Sequence, residues 1–321
     1  MRINFVMSNT VSSGIFNAII GYFKKYLPEN SELFVTQYPI ENADIYHYHR
    51  PNLETELLPN SVVTVHHDLE DTDPWFSASE FIDKYHQADR IVCLNKIQKN
   101  FLMQTEGLES TVVIPHGVNE KLFKDNKRSY LNGKLTLGIV SKRYGRRVKG
   151  EALLSELYKR LNVDSIAFCF VGEGRTKDML DAQEYGFEAI SYEKLPYHMY
   201  GQLYHSIDIL LVPSLFEGGP ANIPEAIFTR TPIVGRKIAM IADMVEESKN
   251  GYFLTGDPDV DADLINRLAL NHDGIYNSLI DSVNSYTPAV MTWREVVEEH
   301  FKLYEEIVSS SNDENKDQDE N

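Results

Sequence analysis

Short apolar runs alternate with amphipathic segments along most of the chain. "RINFVMS" (2–8) reads as a strand. "GIFNAIIGYFKKYL" (14–27) follows with Ile15, Ile19, Tyr22, Phe23 and Leu27 at helical spacing. "ELFVTQ" (32–37), "ADIYHYH" (43–49) and "SVVTVHH" (61–67) are strand-like. "SEFIDKYHQA" (79–88) predicts a helix, "DRIVCLN" (89–95) a strand, "KIQKNFLMQTEG" (96–107) a helix closing on glycine, and "STVVIPHG" (110–117) a strand. A second series starts near Lys134. "KLTLGIV" and "IAFCFVGEG" predict strands, while "GEALLSELYKRL" and "TKDMLDAQEYG" predict helices; "FEAISY", "IDILLVPS", "NIPEAIFTR" and "PIVGRK" continue the pattern. This alternation predicts two α/β units, each a parallel sheet covered on both faces. The polar, turn-rich segment 117–134 separates them. "TWREVVEEHFKLYEEIV" (292–308) is a final amphipathic helix with Trp293, Val297, Phe301, Tyr304 and Val308 on one face.

Composition adds limits. With 321 residues, 42% of them hydrophobic, each unit has the material for a core. No run reaches the ~18 apolar residues that would span a bilayer. The N-terminus lacks the apolar stretch of a signal peptide, so a cytoplasmic location is expected. "IIGYFKKYL", with Lys24 and Lys25, leaves peripheral contact at the inner membrane face open, although a core-packed helix fits it better. The net charge of -17 disfavours nucleic acid as a partner. Cys93 and Cys169 sit in strand-like runs and read as buried thiols. The segment 309–321 holds five acids, one lysine and no apolar residue, which predicts a disordered tail.

In open parallel sheets, ligands bind beyond the carboxyl ends of the strands. Three such loops stand out in the second series. "KRYGRRVKG" places Lys142, Arg143, Arg146, Arg147 and Lys149 within eight positions of an otherwise acidic chain, a pattern suited to a polyphosphate. "GEGRTK" offers Gly172 and Gly174, whose amides are candidates for meeting a ligand where a helix begins. "PSLFEGGPANIPEA" (213–226) separates Glu217 and Glu225 by seven residues. Gly218 and Gly219 permit close backbone approach. Pro224 is expected at the first position of a helix, with Glu225 placed to accept from a ribose diol. A helix-dipole role would account for Glu225 alone. The first series offers His47 and His49 at one strand end, and His66, His67 and Asp68 at another; their spacing fits no common zinc pattern.

These stretches resemble the retaining glycosyltransferases of family four, which have the GT-B architecture. The resemblance covers roughly residues 1–308 and is strongest over "DILLVPSLFEGGPANIPEAIFTRTPIVGRKIAMIADMVEESKNGYFL", which is similar to the family's E-x7-E segment. It implies two Rossmann-like domains facing each other across a cleft: 1–130 on the acceptor side, joined by a returning helix at 290–308, and 131–289 for the nucleotide sugar. The tail is 309–321. Carried over, Glu217 contacts the donor sugar, with Gly218, Gly219 and Pro220 near the sugar and diphosphate. Glu225 holds the ribose. Arg143 and Lys149 bind the diphosphate, joined by Arg146 or Arg147 because the spacing here is one residue longer than the family's. Gly172 lies in the Gly-rich turn, Gly14 in the first-domain loop near the phosphates, and His66 or His67 faces the transferred sugar. The implied activity is transfer of a hexose-type sugar from a UDP- or GDP-sugar to an acceptor glycan, glycolipid or other hydroxyl compound. It needs no cofactor, and no metal. A nucleotide-sugar epimerase or hydrolase of the same fold, or a non-catalytic binding module, are the alternatives.

Overall fold

The computed structural model describes residues 1–7, 14–286 and 289–319. The chain divides into two compact units: Met1–Gly117 with Met291–Asn321, and Val118–Val290. In chain order the first contributes β1 (Arg2–Val6), α1 (Gly14–Tyr26), β2 (Glu32–Thr36), β3 (Ile45–Tyr48), β4 (Ser61–Val65), α2 (Ile82–Gln87), β5 (Arg90–Cys93), α3 (Lys96–Glu106) and β6 (Thr111–Val113). The second contributes β7 (Leu135–Val140), α4 (Glu151–Tyr158), β8 (Ile166–Val171), α5 (Thr176–Glu184), β9 (Glu188–Tyr192), α6 (Tyr200–Ser206), β10 (Ile209–Val212), α7 (Asn222–Phe228), β11 (Ile233–Arg236), α8 (Ala239–Met244), β12 (Gly251–Leu254), α9 (Pro258–Ala269) and α10 (Ile275–Ser285). The last helix, α11 (Trp293–Asp319), belongs to the first unit.

Each unit holds a six-stranded sheet, ordered β2-β1-β3-β4-β5-β6 and β12-β11-β10-β7-β8-β9, with every strand pair parallel. The sequence shows why. Central strands such as "SVVTV" are buried at every position, as a strand covered on both faces must be. At one edge of the second sheet, β9 alternates exposed and half-buried residues. α11 buries Trp293, Val297, Phe301 and Tyr304, the face its spacing predicts. Trp293 stacks on Tyr22 of α1 at 4.8 Å between ring centroids. Each such side chain, fully buried, is worth roughly 1.5–3 kcal/mol. Cys93 and Cys169 are buried free thiols, as expected.

Two boundaries differ from expectation. The first unit ends at Gly117, not at 130. Residues 118–130 go with the second because Val118 and Phe123 are fully buried in its core. Arg128 ties the stretch down: its guanidinium donates to the carbonyls of Tyr204 and Ile207, and the Asn284 side chain holds both its backbone N–H and its carbonyl. The tail expected to be disordered from 309 is helical as far as Asp319. Along its start Ser309 and Ser310 donate back to the carbonyls of Glu305 and Glu306, and the Ser311 hydroxyl lies 2.6 Å from the Asn60 side-chain oxygen, which ties the helix to the loop before β4. Among the described residues no helix is long and apolar enough to cross a membrane.

Candidate functional site

In the second unit the carboxyl ends of β7, β8 and β10 carry the loops singled out by sequence. Two of them are joined through the backbone: Leu215 N–H donates to Val148 O at 2.8 Å. Gly150 makes this approach sterically feasible. Its φ is +83°, and a Cβ there would lie 2.4 Å from Pro213 O. The consequence is an ion pair between residues far apart in sequence: Lys149 Nζ donates to Glu217 Oε1 at 2.6 Å. Both side chains are largely buried, 13% and 9% exposed, so water screens the pair weakly. The Lys149 ammonium also lies 5.4 Å from the centre of the Tyr144 ring.

The other cations of the basic loop are not all unpaired, as a ready anion site would have them. Lys142 bridges to Glu173 at 2.7 Å on the surface. Arg143 Nε donates to Asp178 Oδ1 at 3.2 Å, and its backbone N–H to Glu173 O at 2.9 Å. Arg147 is exposed in a turn with φ +55°. Asp178 also holds Arg175, a fully buried guanidinium that sequence reasoning missed. Arg175 donates from Nη1 to Asp178 Oδ2 at 2.7 Å, from Nε to Ser141 O at 2.8 Å, and from Nη2 to Ser141 Oγ at 2.8 Å. The signal was there: an Arg and an Asp three apart at a helix start, on one face.

In the turn after β8 the Gly172 N–H donates to Tyr192 O at 2.9 Å. Gly172 has φ +136°, and a Cβ there would meet Ser141 O at 2.5 Å, so its role is steric. At the start of α5 the amides of Gly174 and Thr176 already donate to the carboxylate of Glu193, at 2.6 and 2.7 Å. Glu193 takes the place an anionic ligand would fill, and a side-chain hydrogen bond with Thr176, followed by the two amide bonds, holds its carboxyl below the usual range.

Glu225 lies in α7, which begins at Asn222, so Pro224 is its third residue rather than its first; the first turn has no intrahelical acceptor for an N–H there. The Asn222 side chain donates to Val140 O at 2.9 Å and ties the helix start to the end of β7. Gly218, Gly219 and Pro220 lie half-buried in the preceding loop. The Glu225 carboxylate is buried and accepts two phenol hydroxyls: Tyr197 at Oε1, 2.7 Å, and Tyr204 at Oε2, 2.8 Å. Burial pushes this carboxyl up to about 7, against the opposing pull of the two phenols. The tyrosines were missed, although Tyr200, Leu203 and Tyr204 have helical spacing.

The first unit carries a histidine cluster of its own. His47 Nδ1 and Nε2 bond Tyr304 and Thr64 hydroxyls at 2.6 and 2.7 Å, and His49 Nδ1 lies 2.9 Å from His66 Nε2. His49, His66, His116 and His300 line a small cavity with Phe23 and Trp293. His67 faces elsewhere: its ring nitrogens bond Phe76 O and the Tyr85 hydroxyl, at 2.7 and 2.8 Å. The structure thus separates the two adjacent histidines, giving His67 a packing role and leaving His66 on the cavity. Gly14 opens α1, and a Cβ there would meet nothing within 4 Å among the described residues; residues 8–13, which precede it, lie outside them. Among the described residues no three His, Cys, Asp or Glu side chains are placed to hold a metal ion together.

Burial favours the neutral form of five of these rings. It lowers His49 to about 3, His67 and His300 to about 4, and His47 and His66 well below 6.5. Unfolded, each would titrate near 6.5. Below that pH the unfolded chain takes up protons that the folded unit refuses, so stability present above pH 6.5 is lost towards pH 4. The expected cost is about 1.4 kcal/mol per histidine for each pH unit in that window. A melting series should show a steep fall in Tm between pH 6.5 and 4; a flat profile would contradict the buried, neutral cluster.

Two six-stranded parallel sheets with flanking helices and a C-terminal helix returning to the first unit make this the two-domain GT-B fold of glycosyltransferases. Residues 123–280, most of the second unit, match the family described as glycosyl transferases group 1. Among solved structures, sucrose-phosphate synthase from Thermosynechococcus elongatus is similar with a TM-score of 0.76 and 13% identity, over 97% of this chain and 100% of that one. HepE of Anabaena, solved with UDP and glucose, has a TM-score of 0.70 and 15% identity, over 95% and 100%. The lipopolysaccharide outer core galactosyltransferase WaaB has a TM-score of 0.64 and 16% identity, over 93% and 98%. No curated protein matches the chain in sequence.

Proposed function

We propose that the chain is a retaining glycosyltransferase of the family-four kind, moving a hexose from a UDP- or GDP-sugar to an acceptor hydroxyl in glycan, polysaccharide or glycolipid synthesis, without a metal. The observation that carries this is the largely buried Lys149–Glu217 pair at the strand ends of the segment that matches the glycosyl transferase family. HepE, of the same fold, has been solved with UDP and with UDP-glucose.

On this reading the bond between the anomeric carbon and the phosphate oxygen breaks, and the nucleoside diphosphate leaves with the electron pair. Lys149 and Arg143 offset the charge that builds on it. The acceptor oxygen attacks the face the diphosphate has left, and its proton passes to the departing phosphate. Glu217 orients the sugar and favours its developing positive charge. Glu225 accepts from the ribose hydroxyls. The histidine role falls to His66, since His67 is bonded at both nitrogens within its own surroundings.

Calorimetric titration with UDP, GDP and ADP, each without metal, tests the reading. One nucleotide is expected to bind, and Glu225→Ala to weaken it by roughly 10- to 100-fold, the worth of one or two hydrogen bonds to a carboxylate. Glu225→Gln serves as a better-packed control. Equal affinity in the wild type and both variants would remove Glu225 from the site. Binding of none of the three would refute the donor assignment.

A further inference from the structure

The two phenols on Glu225 are chemically alike but differently held. Tyr204 belongs to α6, is wholly buried, and has its ring 5.8 Å from that of Phe123. Tyr197 sits in a three-residue 3-10 helix, Tyr197–Met199, and is 39% exposed. Its ring meets Phe123 edge-on at 5.8 Å and Tyr200 at 5.6 Å. One hydroxyl therefore comes from the core and the other from a short surface turn. Each reaches one carboxylate oxygen at hydrogen-bond distance.

A buried carboxylate without donors is costly, so an unliganded Glu225 needs both. A ribose diol brings the same kind of group: hydroxyls that donate to a carboxylate. We propose that the Tyr197 hydroxyl is a placeholder, holding on Glu225 Oε1 the position that a hydroxyl of a ribonucleoside diphosphate takes, so that nucleotide binding displaces Tyr197 while Tyr204 stays. This rests on the reading of Glu225 as the ribose carboxylate. It adds a binding residue that competes with the ligand, and a short segment, 197–199, that moves when the ligand enters.

A competitor whose bond is lost on binding weakens the ligand by the worth of that bond. Tyr197→Phe keeps the ring and removes only the hydroxyl. It should bind the preferred nucleotide, from among UDP, GDP and ADP titrated without metal, about tenfold more tightly than the wild type. Its Tm without nucleotide should be lower than the wild type's, and the gap should close at saturation. In Tyr197→Phe/Glu225→Ala the gain should vanish. Tyr204→Phe, which removes the retained donor, should show no gain. If Tyr197→Phe binds as the wild type does, or more weakly, while the wild type binds a nucleotide that Glu225→Ala loses, the placeholder is overturned and the donor site stands. If the wild type binds none of the three nucleotides, the donor site itself falls, and the placeholder with it.

Discussion

Lys149→Ala is expected to lower transfer from the nucleotide sugar by about two to three orders of magnitude, the usual cost of removing one preorganised group that stabilises developing charge. Two effects add. The first is loss of the ammonium proposed to meet the leaving diphosphate. The second is electrostatic: without the Lys149 ammonium beside it, the Glu217 carboxylate, only 9% exposed in its side chain, repels the incoming phosphates more strongly. Binding of the nucleoside diphosphate should therefore weaken together with turnover. Glu217→Ala should behave differently. It frees Lys149 for the phosphates, so nucleotide affinity is kept while turnover falls, because the sugar loses the group proposed to orient it. The contrast separates catalytic roles from a simple structural ion pair, which would give two variants of lowered stability and matched losses in both quantities. Rates measured as release of nucleoside diphosphate, beside calorimetric affinities, read the difference. Equal loss of affinity in the two variants, or turnover in Lys149→Ala within about tenfold of the wild type, would count against the assignment.

The pairing on which that argument depends was only half legible in the sequence. The basic loop and the two glutamates announce themselves by composition and spacing, because charge in an acidic chain and glycine beside proline are local signals. That Lys149 meets Glu217 is not local. It needs β7 and β10 to lie side by side, and it needs Gly150 to leave room for Pro213 O. Strand existence follows from apolar runs, whereas strand order is a tertiary choice. The same limit explains Glu193. A carboxylate in the loop after β9 gives no sign that it will fill the amides at the start of α5. His66 and His67 are adjacent in sequence, yet neighbouring side chains leave the backbone in different directions. Only the packing of Tyr85 and Phe76 shows which of them is bound up in the core. The C-terminal helix, by contrast, was legible residue by residue, since one apolar face at a period of 3.6 is a property of the sequence itself.

The largest effect on stability should come from a residue with no proposed contact to substrate. Asp178→Ala is expected to destabilise the second unit by about 3–5 kcal/mol, because it leaves the Arg175 guanidinium buried without its counter-charge. Arg175 is wholly buried and Asp178 nearly so, with a contact of 2.7 Å, so water cannot easily take the missing role. Two bonds to Ser141 remain, but those oxygens carry no full charge. In a unit of this size each kcal/mol is about 2–4 °C, which puts the Tm shift at roughly 6–20 °C. Removing both charges, as in Arg175→Met/Asp178→Leu, should cost less than Asp178→Ala alone, since the penalty lies in the orphaned ion rather than in the lost attraction. That inequality is the decisive comparison. A double variant less stable than the single one would mean that the guanidinium's bonds to Ser141 hold β7 and α5 together by themselves. Asp178 also accepts from Arg143 at 3.2 Å. Asp178→Asn, which keeps the shape and loses the charge, should therefore weaken nucleoside diphosphate binding as well, by letting the Arg143 guanidinium, proposed to bind the phosphates, drift from its place.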